Sequence, residues 1–321
     1  MSTVPLVSVV IINHQRKDLL RRCVRSVLAL EYPNLEVIVV DNASDDGSAE
    51  MVEAEFGDEV RVIRRTENSV TAARNDGYRA ARGEVFLSLD NDIVFPDPTV
   101  LARALALFER FPTVGMLSFL VGTEEEPREP LPEHWWYEVP IEEGKARTFF
   151  TSYYSEGAVL IRRELFESTG GYDEDFFRCA ENLDVILKSF RDGWEMLFSS
   201  DLFCAELAVR GFLGSRRTQR NYLTLRNKLW VVWKHYPLVR GLRWGAARIG
   251  MALLRSLRHG WPDLFLRGVF RGVFAPKVIR RKRAPLPREA WQRLAAVRPV
   301  RYVDPTPVEE GAAAGARGER S

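Results

Sequence analysis

Long apolar runs are missing from this chain of 321 residues: no uncharged stretch reaches the ~18 residues that a membrane-spanning helix needs. Cysteine is scarce as well. Cys23, Cys179 and Cys204 stand far apart without metal-type spacing, and an odd count of thiols excludes a fully paired disulfide framework. The opening MSTVPLVSVVIINH has no basic n-region and runs straight into strand-like residues. Free thiols in a reducing cytoplasm are therefore expected. His14, His134, His235 and His259 read as surface or capping residues rather than ligands. No Gly-rich phosphate loop follows the first strand-like run, where NHQRKDLLRR stands, which argues against a nucleotidyltransferase. No internal repeat is evident.

What is present suits a globular protein. Hydrophobic residues make up 46% and charged residues 28%, enough for a full core in one large domain or two modest ones. A net charge of +2 hides a strong asymmetry: residues 211–300 carry +19, residues 301–321 carry −1, and residues 1–210 carry −16. An acidic body joined to a basic section implies two functional zones. The expected organisation is a body over 1–210, a basic helical region over 211–300, and a disordered tail over 301–321, ending in the low-complexity PVEEGAAAGARGERS.

Along the body, strands and helices alternate. LVSVVII, LEVIVVD, VRVIRR and EVFLSLD read as strands; RKDLLRRCVRSVLAL, SAEMVEAEF and SVTAARNDGYRAARG read as the helices between them. The fold class is α/β, a mostly parallel sheet flanked by helices, with basic amphipathic helices at the C-terminal end. Ligands of such sheets bind at the carboxyl ends of the strands, which is where Asp41 and Asp90 fall. TEEEPREPLPEHWWYEVPIEEGK, acidic and Pro-rich with two adjacent tryptophans, reads as a mobile binding loop.

EVFLSLDNDIVFPDP ends an apolar strand in two carboxylates, Asp90 and Asp92. Charge at the end of a buried strand needs a cation or hydrogen bonds to compensate it. On an extended strand these residues would lie about 7 Å apart on one side, too far to chelate one ion together. If the strand ends at Asp90, the turn through Asn91 lets one carboxylate reach a metal and the other a nucleotide's sugar ring. Mg²⁺ and Mn²⁺ favour such oxygen ligands, with substrate phosphates completing the shell.

VSVVIINHQRKDLLRRCVRSVL, LEVIVVDNASDDGS, AARNDGYRAARGEVFLSLDND, GAVLIRRELFESTGGYDEDFF and ENLDVILKSFRDGW together resemble glycosyltransferase family 2 of the GT-A fold. The likeness covers roughly residues 5–236. RNYLTLRNKLWVVWKHYP looks like the C-terminal helix of the rhamnosyltransferase-like branch. The resemblance implies that Asp41 bonds the pyrimidine base of a nucleotide-sugar. Asn13, Arg74, Asn75 and Asp90 would lie with the ribose and diphosphate, and Asp92 on the metal that bridges the phosphates. Family members place a Glu-Asp-x-Asp pattern at a helix start, its first Asp acting as base. Here the matching residues are Glu181, Asn182, Leu183 and Asp184, so an amide stands at the base position, where it cannot accept a proton. Glu181 or Asp184 would then take over. Glu206 stands where a His often completes the metal site, and Gln15 after His14 replaces the usual Asn after an aromatic. Gly171 and Tyr172 would lie beside the acceptor, and Trp135 and Trp136 could stack on a sugar ring.

The resemblance implies an inverting, Mn²⁺- or Mg²⁺-dependent transferase. It would move a sugar from a UDP- or dTDP-sugar to a hydroxyl of a cell-surface polysaccharide or lipid-linked glycan. The alternative is a GT-A-like binding or scaffolding protein, which Asn182 favours. In the basic section, Leu, Trp and Phe interleaved with Arg suit an anionic membrane surface, with a face that docks back on the acidic body as the plain alternative. Nucleic acid fits less well. The expected location is the cytoplasm, peripheral on the inner face of the plasma membrane.

Overall fold

The computed structural model describes residues 4–207 and 216–303. The first half folds as β1 (Val7–Asn13), α1 (Lys17–Leu28), β2 (Leu35–Asn42), α2 (Ser48–Phe56), β3 (Val60–Arg65), α3 (Val70–Ala80) and β4 (Val85–Asp90). These four strands and three helices lie where the hydrophobic periodicity puts them. β1 is buried along its whole length and runs parallel to β2 on one side and β4 on the other, with β3 parallel outside β2. Side chains alternate between faces as a strand requires. Val7, Val9 and Ile11 join Leu20, Val24 and Leu101 in one core; Val10 and Ile12 join Tyr78, Phe86 and Ile186 in the other. α3 lies so close to the sheet that a Cβ at Gly77 would come 2.3 Å from a methyl carbon of Val10.

The chain continues through β5 (Ile93–Val94), α4 (Val100–Arg110), β6 (Val114–Gly122), α5 (Ile141–Gly144), β7 (Thr148–Thr151), β8 (Ala158–Arg162), α6 (Arg163–Thr169), α7 (Glu181–Arg191) and β9 (Glu195–Glu206). It ends in α8 (Arg216–His235), α9 (Leu238–His259), α10 (Pro262–Val273), α11 (Lys277–Arg281), α12 (Arg288–Ala296) and β10 (Tyr302–Val303). The sheet order is β10-β7-β9-β6-β8-β4-β1-β2-β3, with β5 paired to β9. β8 enters antiparallel between β4 and β6, and this brings the segment before it against the end of β4.

Two expectations change here. The loop ahead of β7 is partly core: Leu131 and Val139 are buried, and Trp135 and Tyr137 pack with Phe149 and Phe198. The apolar area that Trp135 and Tyr137 remove from water favours this packing. Tyr302 and Val303 pair with Phe149 and Thr148, so the expected disorder does not begin at 301. Residues 304–321 lie outside the described residues, as does the junction drawn at 210.

The basic section is fastened to the body through α8. Trp230, Val231 and Tyr236 pack with Phe176, Leu187 and Ile279. Beside that apolar contact, Asp184 on α7 is fully buried, with His235 Nε2 2.7 Å and Lys234 Nζ 2.5 Å from its Oδ1 and Lys188 Nζ 3.0 Å from its Oδ2. Lys234 also meets Asp173 at 2.6 Å. Burial by itself would raise the Asp184 pKa, but His235 and the two lysines reverse that and hold the carboxyl well below its usual range. Asp184 is therefore a structural anion, which overturns its assignment as a base. Replacing it by Asn deprives Lys188 of its carboxylate and leaves Lys234 with Asp173 alone, and is expected to lower stability by about 3–5 kcal/mol in urea unfolding at neutral pH. A carboxyl with a depressed folded pKa stabilises only above its unfolded value. The gap between wild type and Asp184→Asn should therefore close as pH falls below about 4.

Candidate active site

Parallel register does the first part of the assembly. Asn13 lies opposite Asp41 and Ile12 opposite Asp90, so the carboxyl ends of β2, β1 and β4 stand side by side. The Asn13 side-chain amide donates to Asp41 Oδ1 at 3.2 Å, and the Ser44 N–H donates to Asp41 Oδ2 at 3.2 Å. Asn91 in turn donates to Asn13 Oδ1 at 2.6 Å. Asp41 is 4% exposed, and each of its oxygens keeps a lone pair for a further donor.

Arg74 lies beneath this row. Its guanidinium donates to Ser88 Oγ at 2.7 Å and Asp90 Oδ1 at 2.9 Å, and the residue is 2% exposed. Burial works against its charge, yet Asp90 together with Glu156 and the neighbouring Tyr172 and Tyr78 outweighs this and raises its pKa above the usual arginine value. The Asp90 side chain remains 45% exposed. Arg74 therefore fixes Asp90, and contact between Arg74 and a ribose or diphosphate, as expected from the sequence, is precluded by its burial. Asn75 is corrected too. Its amide donates to the Tyr172 carbonyl and Glu174 Oε1 and accepts from the Tyr172 N–H, clamping the turn after α6.

Asp92, 6% exposed, pairs with the Arg16 guanidinium. Burial first, then the Asp90 charge, pushes its pKa up to about 6. Glu206 is brought alongside because Ile93 pairs with it across β5 and β9, and the Leu207 N–H donates to the Asp92 carbonyl at 2.8 Å. His134, reaching in from the loop ahead of β7, places Nε2 2.6 Å from Glu206 Oε2. Burial opposes protonation of this imidazole, but Glu206 prevails and raises its pKa. Among the described residues no three His, Cys, Asp or Glu side chains enclose a metal position by themselves. The donor chemistry still fits Mg²⁺ or Mn²⁺, which take one or two carboxylates and fill the shell with water and substrate phosphates. Asp92 and Glu206 are the carboxylates suited to that role.

At the start of α7, Glu181 is 4% exposed and its Oε2 has no hydrogen-bond partner among the described residues. Burial, with the nearby Asp90, raises its pKa. Glu156, in the loop before β8, is a residue the sequence reading missed. It is brought in because the Asp90 N–H donates to the Gly157 carbonyl at 3.0 Å. Its Oε1 is likewise unpartnered among the described residues, and burial together with Glu181 raises its pKa well above the carboxylate range. The one signal in the sequence is an acidic residue directly preceding a strand, which is too common to select. Asn182 is partly buried and its Oδ1 accepts from the Leu183 N–H at 2.8 Å.

The expected acceptor residues separate. Trp135 is half-buried in the aromatic cluster, donating to the Val139 carbonyl at 2.6 Å. Tyr172 is buried, its hydroxyl 3.0 Å from that of Tyr154. Gly171 has φ +68°, and a Cβ there would meet the Phe166 ring at 2.3 Å. These three are structural. Trp136, 69% exposed and two residues from His134, keeps an open ring.

A profile described as "Glycosyl transferase family 2" matches residues 8–170. Over 207 residues the chain is 30% identical to the O-antigen biosynthesis protein RfbC of Myxococcus xanthus, covering 57% of this chain and 16% of that protein. Over 187 residues it is 28% identical to a dolichol-phosphate mannosyltransferase of Mycosarcoma maydis, covering 56% of this chain and 57% of the relative. Both matches span less than two thirds of the relative's own length. The solved mannosyltransferase PcManGT from Pyrobaculum calidifontis, in complex with GDP-Man and Mn²⁺, superposes with a TM-score of 0.58 at 20% identity, covering 92% of this chain and 87% of that one. At that identity the likeness is one of fold, the GT-A arrangement. The profile spans half of the chain and includes the strand ends carrying Asn13, Asp41, Asp90 and Asp92, so the protein belongs to glycosyl transferase family 2.

Proposed function

We propose that this protein is an inverting, metal-dependent glycosyltransferase. It moves a hexosyl or rhamnosyl group from a nucleoside diphosphate donor to a hydroxyl of a cell-surface polysaccharide or its lipid-linked precursor. The observation that carries this reading is the row Asn13, Asp41, Asp90 and Asp92 at adjoining strand ends, faced by Glu156 and Glu181 with raised pKa values. Perturbed carboxyls beside a ligand-binding edge are a mark of acid–base chemistry. The kinship with an O-antigen biosynthesis protein supports a polysaccharide product, and the fold neighbour's GDP-Man and Mn²⁺ support the donor class.

In this reading Asp41 accepts a hydrogen bond from the nucleotide base and Asp90, steadied by Arg74, accepts one from the ribose. Asp92 and Glu206 would hold the divalent ion, which supplies Lewis-acid stabilisation of the leaving diphosphate when bound. The acceptor oxygen attacks the anomeric carbon from the face opposite the diphosphate. The carbon–oxygen bond to phosphate breaks, the configuration inverts, and the acceptor's proton passes to Glu181. Burial and their mutual repulsion raise the pKa values of both Glu156 and Glu181, so the pair favours carrying one proton, and in this reading Glu156 keeps it while Glu181 is the ionised partner. Trp136 offers a stacking face to the acceptor.

Thermal shift against UDP-, dTDP- and GDP-sugars with Mn²⁺ should identify the donor. Asp41→Asn and Asp90→Asn should each weaken it by about ten- to a hundredfold, the worth of a hydrogen bond to a charged group. If the wild type binds a donor without turning it over and only Asn182→Asp is active, the protein is a scaffold rather than an enzyme.

Glu181→Gln should leave donor binding intact and lower kcat by about 10²–10⁴-fold. A base works only when ionised, so a raised pKa moves the loss of activity to higher pH than for an ordinary glutamate. The acid limb of the wild-type kcat profile should lie above about pH 4.5. A limb at or below that value, or an unchanged kcat in Glu181→Gln, removes Glu181 from the mechanism.

A further inference from the structure

α9 and α10 approach α8 through small residues: Gly241 and Gly245 on α9 and Gly268 and Gly272 on α10 are buried against Leu225, Leu229, Val232 and Tyr236. A Cβ at Gly272 would lie 2.5 Å from Leu229 of α8, so the small residues set the close approach. Phe265, Ile249 and Trp244 fill the rest of the joint with Leu225, Leu229 and Tyr236, and a second set of large apolar side chains points the other way. Leu242, Leu254 and Leu257 on α9 are 67%, 69% and 68% exposed, and Leu266, Phe270 and Phe274, in and just after α10, are 65%, 64% and 69% exposed. An ordinary surface helix buries its large apolar stripe. Leu238, Leu242 and Ile249 of α9 and Val273 of α10 line one groove of about 250 Å³, which joins the two stripes into a single surface.

The rim of that surface is basic. Residues 238–281 hold ten Lys and Arg against Asp263 alone, and Arg240, Arg243, Arg255, Arg258, Arg267 and Arg271 are exposed. A second copy of the chain would bring a like-charged face against this one. Nucleic acid would engage the arginines and leave the leucines and phenylalanines in water. The acidic body does not cover the face either, because α9 and α10 already dock on α8 through their small sides. Among the described residues no helix is long and apolar enough to cross a membrane.

We propose that α9 and α10 seat the protein in the interfacial layer of an anionic phospholipid bilayer, with the Leu and Phe stripe in the acyl boundary and the arginines on headgroup phosphates. α9, at 22 residues and ~33 Å, lies in the plane of the surface. Asn227 on α8 donates to the carbonyls of Phe176, Arg178 and Cys179, at 3.1, 2.8 and 2.6 Å. The docked face is thereby tied to the segment leading into Glu181. Lipid binding stands apart from the transferase reading, since it requires no donor and no turnover.

The test is flotation of the full chain with vesicles of phosphatidylglycerol and phosphatidylcholine, and with phosphatidylcholine alone. The expected result is flotation with the anionic vesicles, weakened by salt, and little with the neutral ones. Phe270→Glu with Phe274→Glu should abolish it while the melting temperature holds, because both rings are exposed. Arg255→Gln with Arg258→Gln should lower the partition coefficient by about thirtyfold, five- to sixfold for each charge. A folded chain that floats with neither vesicle, or floats equally well in both double variants, overturns the proposal. So does a dimer in light scattering that the Phe variant dissociates while vesicles go unbound.

Discussion

Carboxylates crowded at the ends of adjoining strands repel one another and resist burial, and the neighbourhood of the site is arranged around that constraint. Each is met differently. Asp41 takes hydrogen bonds from Asn13 and the Ser44 N–H. Asp90 has the buried Arg74, Asp92 has Arg16, and Glu206 has His134. Glu156 and Glu181 are left with an unpartnered oxygen each, and desolvation raises their pKa values, as it does that of Asp92 in spite of Arg16. A cation partner does not by itself keep a carboxyl's pKa low here: at Asp92 burial outweighs Arg16.

α8 links this constraint to the rest of the chain. One stretch of it ties the loop ahead of α7 through Asn227; another neutralises Asp173 and Asp184 through Lys234 and His235. Its outer side receives the glycine faces of α9 and α10. Breaking the buried charge cluster would therefore loosen the start of α7 as well as the joint itself. Stability at this joint and geometry at Glu181 are coupled through one helix.

The parallel half of the fold was legible because β1 to β4 and the helices between them keep strict periods. Asp41 and Asp90 were legible because carboxyl ends of parallel strands are where such sheets bind ligands. Glu156 was hidden, since it reaches the site only through the antiparallel pairing of β8 with β4, a contact no local pattern announces. Asp184 misled because its role is decided by Lys234 and His235, far along the chain. Trp135 misled because an acidic, Pro-rich setting hid an aromatic cluster built with Phe149 and Phe198. In the basic section the helical period was visible, but period alone does not say which stripe faces out. The glycines decide that, by letting α8 approach from their side.

The opposite charges of the two zones then acquire a physical reading. The proposed nucleoside diphosphate donor is itself anionic, and it would approach an edge that holds Asp41, Asp90, Asp92 and Glu206. Arg74 and Arg16 are already engaged with two of these carboxylates, so they offer little net attraction to phosphate. A divalent ion arriving with the donor would offset the repulsion, and the electrostatics of the edge therefore support metal dependence independently of any likeness to other proteins. Much of the +19 of residues 211–300 lies elsewhere: ten of its Lys and Arg fall within residues 238–281, the stretch that carries the exposed apolar stripe of α9 and α10. On the two proposals together, each zone would meet a different anion, phosphate on a small donor and phosphate on a surface, with α8 packed between them.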